Sequence, residues 1–353
     1  MKAFLFLLLI LACFQGVAPP CADAGRANIF IYHRFGESRY PATNISLEDF
    51  AAQLEILQRE KVPVLPLSEV VGRLRDGREL PEHCAVLTVD DGYRSFLTGA
   101  MPLLRRYDFP VTLFVNTDAV GGRNYLSWKD LRALEREGVV IGHHTASHLH
   151  MIDHRPGESE QAWRQRLKDD LARASAAFST HLEKRPRIFA YPYGEYSPVV
   201  EDLVRQAGFT AAVAQQSGVV SAGTDLFSLP RFPMGGPYAS PRQFRQKLRM
   251  FPLPVEVLSP SGPLLDEGNN PPLLEFRLAG DLVDPRRMQC YVPGQPPAEI
   301  QAVPGTQDRF RVKARLPLAG RRSKYTLTAP LKKGGWAWFS YLWIRPSVPE
   351  GGY

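Results

Sequence analysis

The stretch Ala85-Val86-Leu87-Thr88-Val89-Asp90-Asp91-Gly92 reads as a strand with almost no polar face that runs straight into two acids and a glycine. A strand that is apolar on both faces is buried on both faces, as in a parallel sheet covered by helices. The chain from Asn28 to about Phe251 repeats this pattern. Ile29–Tyr32, Val62–Leu65, Val111–Val115, Val139–Ile141, Ile188–Tyr191 and Thr210–Val213 are runs of the same kind, separated by amphipathic stretches. Helix starts are legible between them. Ser46-x-x-Asp49 and Ser127-x-x-Asp130 fit a capping box. Ser197-Pro198 and Ser240-Pro241 each place a cap residue before a first-turn proline, and Gly208 is suited to end the helix that Pro198 begins. The expected fold class is therefore α/β, with a parallel sheet either open or closed into a barrel.

The polar residues fall where these strands end. Ile29–Tyr32 leads into His33, Ala85–Val89 into Asp90 and Asp91, and Val139–Ile141 into His143-His144-Thr145-Ala146-Ser147-His148. Ile188–Ala190 leads into Tyr191-Pro192-Tyr193-Gly194, and the segment around Leu229 into Arg231. In a parallel barrel all strand ends of one sense share a face, so five segments deliver reactive groups to one place.

Two imidazoles spaced as in His144-x-x-x-His148, joined by one carboxylate, leave a metal site open to a further ligand, as in a catalytic centre. A divalent ion there would lower the pKa of its bound water and polarise a substrate carbonyl. The second acid would be free to act as a general base. Each feature also has a plainer reading. Asp-Asp-Gly after a strand is an ordinary turn, and five of the eight histidines lie between positions 143 and 154, where His150-x-x-x-His154 repeats the spacing.

Residues 28–250 resemble the polysaccharide deacetylase family, also described as the NodB-homology or carbohydrate esterase family 4 group. Thr88-Val89-Asp90-Asp91-Gly92 is similar to its first motif, and His144-Thr145-Ala146-Ser147-His148 to its second. The resemblance implies a distorted (β/α) barrel in which Asp91, His144 and His148 bind one divalent metal ion and Asp90 is the base. Zinc is the expected ion, with cobalt or nickel as alternatives. The family's third motif places an arginine before Pro-Tyr-Gly, but Ala190 stands there in this chain. Tyr191, Pro192 and Tyr193 are then the expected substrate contacts, with the Tyr193 amide serving the oxyanion. Orienting Asp90 is assigned to Arg231, against a solvent-facing arginine as the alternative. No histidine follows His181, so the late general acid of many members is missing. Tyr32-His33-Arg34-Phe35 instead resembles the branch that contains the biofilm poly-N-acetylglucosamine deacetylases. His33 is the acid on that reading, and a satisfied structural histidine on the other.

The implied activity is metal-dependent removal of N-acetyl groups from a cell-envelope or extracellular polysaccharide. The alternatives are a hydrolase of peptidoglycan, an O-acetyl ester or a small amide on the same fold, or a carbohydrate-binding protein with a degraded site. Around this core, residues 1–24 read as a signal peptide: Lys2, an apolar run through Phe14, and Ala22-Asp23-Ala24 as the cleavage site. Ile10-Leu11-Ala12-Cys13 offers lipoprotein anchoring as an alternative. The mature chain is expected to be secreted across the inner membrane to the periplasm, with no transmembrane segment. Only Cys84 and Cys290 remain after cleavage, and no disulfide framework is expected. The formal charge of +7 is spread along the chain and specifies no nucleic-acid partner.

Prolines and glycines become dense after Pro252, and short alternating segments follow, among them Leu273–Leu278, Arg309–Ala314 and Trp336–Ile344. Residues 25–255 are thus expected to form the catalytic domain and 256–353 a small all-β, sandwich-like domain. Every candidate reactive group precedes residue 256, so the second domain is expected to be dispensable for chemistry. The aromatic row from Trp336 to Trp343 is read as core, with sugar stacking as its alternative.

Overall fold

A computed structural model of the chain describes residues 25–351, so the expected signal peptide and lipoprotein site lie outside the described residues. The amino-terminal part holds strands β1 (Ala27–Tyr32), β2 (Arg34–Phe35), β3 (Asn44–Ile45), β4 (Cys84–Val89), β5 (Thr112–Val115), β6 (Val140–His143), β7 (Ile188–Ala190), β8 (Ala211–Val213) and β9 (Phe232–Pro233). Its helices are α1 (Leu47–Arg59), α2 (Leu67–Arg75), α3 (Met101–Tyr107), α4 (Trp128–Arg136), α5 (Glu160–His181), α6 (Pro198–Gln206) and α7 (Pro241–Leu248).

Seven strands form one parallel sheet in the order β8-β7-β6-β5-β4-β1-β9, which is the distorted (β/α) barrel of the NodB type. β1 and β4 are buried along their whole length, as a sheet covered on both faces requires. The sheet's two edges, β8 and β9, are joined by the segment between them. Ala214 N–H donates to Leu229 O at 2.9 Å, and Arg231 N–H to Gln216 O at 2.9 Å.

Local chemistry explains the helix ends. Ser127 and Asp130 make the full reciprocal capping box on α4, whereas on α1 Ser46 accepts from Asp49 N–H. Pro198 and Pro241 open α6 and α7, and Gly208 takes a left-handed φ of +87° just past α6. The expected strand at Val62–Leu65 is reduced to a single bridge between Val64 and Ala85. Pro63 and Pro66 have no N–H to give, so a ladder cannot extend through them.

The carboxy-terminal part is all β. β10 (Met250–Pro252), β17 (Trp336–Ile344), β16 (Arg322–Pro330) and β13 (Gln289–Tyr291) form one sheet in that order. β11 (Val255–Ser259), β12 (Leu273–Leu278), β15 (Arg309–Lys313) and β14 (Ile300–Ala302) form the other. Phe276, Leu278 and Val312 of the second sheet pack against Leu327, Tyr341 and Trp343 of the first in one apolar core. Successive residues of β17 face opposite ways. Tyr341 and Trp343 point into this core, while Leu342 and Ile344 join the cluster of Phe189 and Tyr191 in the barrel. The aromatic row is accordingly mostly core. Trp338 meets Phe232 of β9 at 5.7 Å between ring centres, and only Trp336 is largely exposed. Cys84 and Cys290 are both free and buried. Among the described residues, no helix is long and apolar enough to cross a membrane.

Candidate active site

The parallel strands bring their carboxyl ends together, and the loops there bend sharply. Six non-glycine residues have positive φ among the described residues, and four of them lie here: Asp91 (76°), Thr145 (65°), His148 (53°) and Tyr193 (59°). Such conformations cost about 1–3 kcal/mol each and persist only where surrounding contacts impose them. The contacts are visible. His144 N–H donates to Val115 O at 3.1 Å, Thr145 N–H to His143 Nδ1 at 3.2 Å, and His148 N–H to Thr145 Oγ1 at 3.0 Å.

This bend aims two imidazoles at one carboxylate oxygen. His144 Nε2 lies 3.3 Å and His148 Nε2 3.2 Å from Asp91 Oδ1. His144 Nδ1 must donate to Ala190 O at 2.8 Å, because a carbonyl only accepts, so a neutral His144 presents a bare Nε2 lone pair to Asp91. Asp91 Oδ1 is buried and lacks a hydrogen-bond partner of good geometry. Lone pairs facing one another across such distances call for a cation between them. Bonds of about 2.0–2.2 Å to one tetrahedral ion would hold ligand atoms about 3.3 Å apart, which matches the spacing here. The electrostatics of the site likewise favour positive charge at this point. Burial would raise the pKa of Asp91, yet His144 and His148 hold it well below the ordinary carboxylate value. Burial would lower that of His144, yet Asp91 and Asp90 raise it. The three residues therefore fit a divalent ion.

Asp90 takes a different partner from its neighbour. Arg231 grips it with a two-pronged contact, Nη1 to Oδ1 and Nη2 to Oδ2, each at 2.7 Å, and both residues are 0% exposed. Arg231 Nε donates to Ala214 O at 2.9 Å and Nη1 to Thr88 Oγ1 at 3.2 Å, which fixes the guanidinium plane. Burial acts to raise the Asp90 pKa, but Arg231 outweighs it and the group stays below its ordinary value. The solvent-facing alternative for Arg231 is thereby excluded. His33 stands beside these acids, partly exposed, and its ring makes no hydrogen bond to a described residue. Burial lowers its pKa against the opposing charges of Asp91 and Asp90. In the Pro192–Gly194 turn, Gly194 N–H donates to Tyr191 O at 2.8 Å and Glu195 N–H to Pro192 O at 3.1 Å. The Tyr193 N–H has no such partner among the described residues.

Known proteins share part of this arrangement. Residues 77–212 match the family model described as polysaccharide deacetylase. Over those residues the chain is similar to this family. The chain is 27% identical over 192 residues to the poly-beta-1,6-N-acetyl-D-glucosamine N-deacetylase of Escherichia coli K12, covering 44% of this chain but only 28% of that protein. It is 22% identical over 210 residues to the enzyme of the same name from Staphylococcus aureus MRSA252, covering 58% of this chain and 72% of that one. Among solved structures, IcaB from Ammonifex degensii superposes with a TM-score of 0.56 at 26% identity, covering 64% of this chain and 98% of IcaB. The Streptococcus pyogenes deacetylase PplD in complex with acetate shares the fold, with a TM-score of 0.55 at 24% identity and coverage of 64% and 99%.

Within this fold, two expected substrate contacts need correction. Tyr191 is 0% exposed; its ring packs on Phe189, and its hydroxyl donates to Phe227 O at 3.0 Å. Pro192 is buried as well, so neither side chain offers a surface to substrate. The second histidine pair does not compete for the ion. His154 stacks on Trp163, and His150 donates from Nδ1 to Glu195 Oε2 at 2.8 Å. His143 is buried among Phe178, Phe189 and Phe209, which pushes its pKa down to about 3. One group at the site escaped the sequence reading altogether. Glu195 is 0% exposed and is held down to about pKa 2, its burial outweighed by His150 and Arg321. Only its position just after Pro-Tyr-Gly could have marked it.

Proposed function

We propose that this chain is a metal-dependent N-deacetylase of an N-acetylated cell-envelope or extracellular polysaccharide, with poly-N-acetylglucosamine as the substrate class. The observation that carries the reading is the convergence of Asp91, His144 and His148 on one point, beside an acid that Arg231 keeps ionised. The names of the relatives support the substrate class. Asp91, His144 and His148 would hold the ion, and two imidazoles with one carboxylate suit zinc, with cobalt or nickel as alternatives. Such an ion supplies Lewis acidity, making a coordinated water more acidic and polarising the acetamide carbonyl.

The chain's own groups do the rest. Arg231 occupies one lone pair on each Asp90 oxygen and leaves the other to accept the proton of the attacking water. The Tyr193 amide donates to the oxygen that becomes negative as the carbonyl carbon turns tetrahedral. His33 gives a proton to the departing sugar nitrogen. The products are acetate and a glucosamine unit that is cationic at neutral pH. A secreted, periplasmic location accords with a polymeric envelope substrate.

The two neighbouring acids should fail differently. Asp91→Asn removes an anionic ligand, so metal affinity falls and added metal partly restores turnover. Asp90→Asn leaves the ligands intact but removes the proton acceptor, a change of roughly 10²–10⁴-fold in rate with the ion still bound. Metal stoichiometry and acetate release on both variants test this. Loss of metal from Asp90→Asn with retention in Asp91→Asn would reverse the roles.

A further inference from the structure

Arg321 stands at the edge of β16 in the carboxy-terminal sandwich, yet its guanidinium ends inside the barrel's catalytic face. Nε donates to Glu195 Oε1 at 2.7 Å and Nη2 to Glu195 Oε2 at 2.9 Å. Nη2 also reaches Asp153 Oδ1 at 2.7 Å, and Nη1 the carbonyls of Pro346 and Val348 at 3.2 and 3.0 Å. Arg322 adds a contact to Glu195 Oε1 at 2.8 Å. Glu195 is the residue that closes the Pro192–Gly194 turn, and its other partner is His150. The His150 ring lies flat on the Tyr193 ring, 3.8 Å between centres at 6°. Tyr193 in turn meets His148 edge-on at 4.6 Å.

We propose that the carboxy-terminal sandwich is a working part of the active site, with Arg321 acting as a positioning residue that sets the Tyr193 amide through Glu195 and His150. The inference rests on the deacetylase reading and deepens it. Tyr193 is held at φ 59°, a conformation that a non-glycine residue leaves when its supports are removed. Glu195 supports it twice, through the backbone of the turn and through the ring of His150. A carboxylate with 0% exposure must itself be neutralised, and Arg321 does this with two parallel hydrogen bonds. His150, Glu195 and Glu350 also lie close enough to hold an ion, but the guanidinium groups of Arg321 and Arg322 already supply positive charge there. The cluster is therefore an ion-pair clamp. On this proposal the sandwich contributes to the chemistry, contrary to the expectation that it is dispensable.

The test uses the full chain, with Arg321→Ala and Glu195→Gln separately and together. Misplacing a group by about 1 Å can cost on the order of 10²-fold, so kcat for acetate release from a soluble N-acetylglucosamine oligomer should fall roughly 10–100-fold in each single variant. KM and the bound metal per chain should be unchanged. The double variant should be no worse than the poorer single one, because both act through one contact. If Arg321→Ala does not fold, Arg321→Lys takes its place; it keeps the charge but offers Glu195 a single point of contact. Wild-type kcat in the folded variants, or additive losses in the double variant, would overturn the inference. An inactive wild-type chain with metal bound would instead overturn the deacetylase reading beneath it.

Discussion

Asp90 and Arg231 are paired with no exposure to water, and on the proposed mechanism that pairing sets the acid limb of the rate. With Arg231 present, the Asp90 carboxyl is held below its ordinary value, so it stays ionised as pH falls until that depressed value is reached. The stabilisation it gives the fold follows the same sign: present above the ordinary carboxylate pKa, lost as pH falls through the depressed one. Without the guanidinium, burial would dominate and the pKa would rise. The acid limb of kcat/KM should therefore move to higher pH in Arg231→Lys and further in Arg231→Met. The Met variant should also lose about 3–5 kcal/mol of stability, the usual cost of stranding a buried charge. A pH–rate profile with an unmoved acid limb would show that Asp90 does not carry it. The residue types at this site were legible in sequence because acids and imidazoles gathered where strands end. The burial of Arg231 was not, since it arises from a contact with a residue 141 positions away.

At the scale of elements, the turns that carry reactive groups are built tighter than the strands that lead to them. Gly194 has φ +70°, and a Cβ there would lie 2.5 Å from Gln215 Cβ and 2.7 Å from Gln215 N. Gly194→Ala must push the Pro192–Gly194 turn away from Gln215 and carry the Tyr193 amide with it. Turnover should drop at least 10-fold, in line with the sensitivity of rate to placement, while metal content and secondary structure stay as they are. Normal turnover in that variant would remove the Tyr193 amide from the mechanism. Helix starts were readable because caps are local chemistry, as Ser127 with Asp130 shows. The strand expected at Val62–Leu65 is cut to one bridge because Pro63 and Pro66 interrupt the ladder that its β-branched residues favour. The Tyr191 side chain departs from expectation for a different reason. The motif shows its place beside the site, whereas its direction depends on packing with Phe189.

The whole molecule joins a parallel barrel to a sandwich through a strand that serves both. β17 sends Tyr341 and Trp343 into one core and Leu342 and Ile344 into the other, while Arg321 crosses the same junction to Glu195. An alternating pattern in sequence shows that two faces exist, but not that each has a partner, so the sandwich was legible and its contribution to the site was not. The proposed chemistry nevertheless belongs to the barrel, where a divalent ion and Asp90 would together remove acetyl groups from a glucosamine polymer. The most direct measurement follows acetate and free amine released from a soluble poly-N-acetylglucosamine oligomer by the full chain, first as prepared, then after chelation, then with zinc restored. Acetate and amine should appear in equal amounts, vanish together on chelation, and return with zinc. Release that chelation leaves untouched, or no release from a folded chain carrying one ion, would contradict the proposed chemistry.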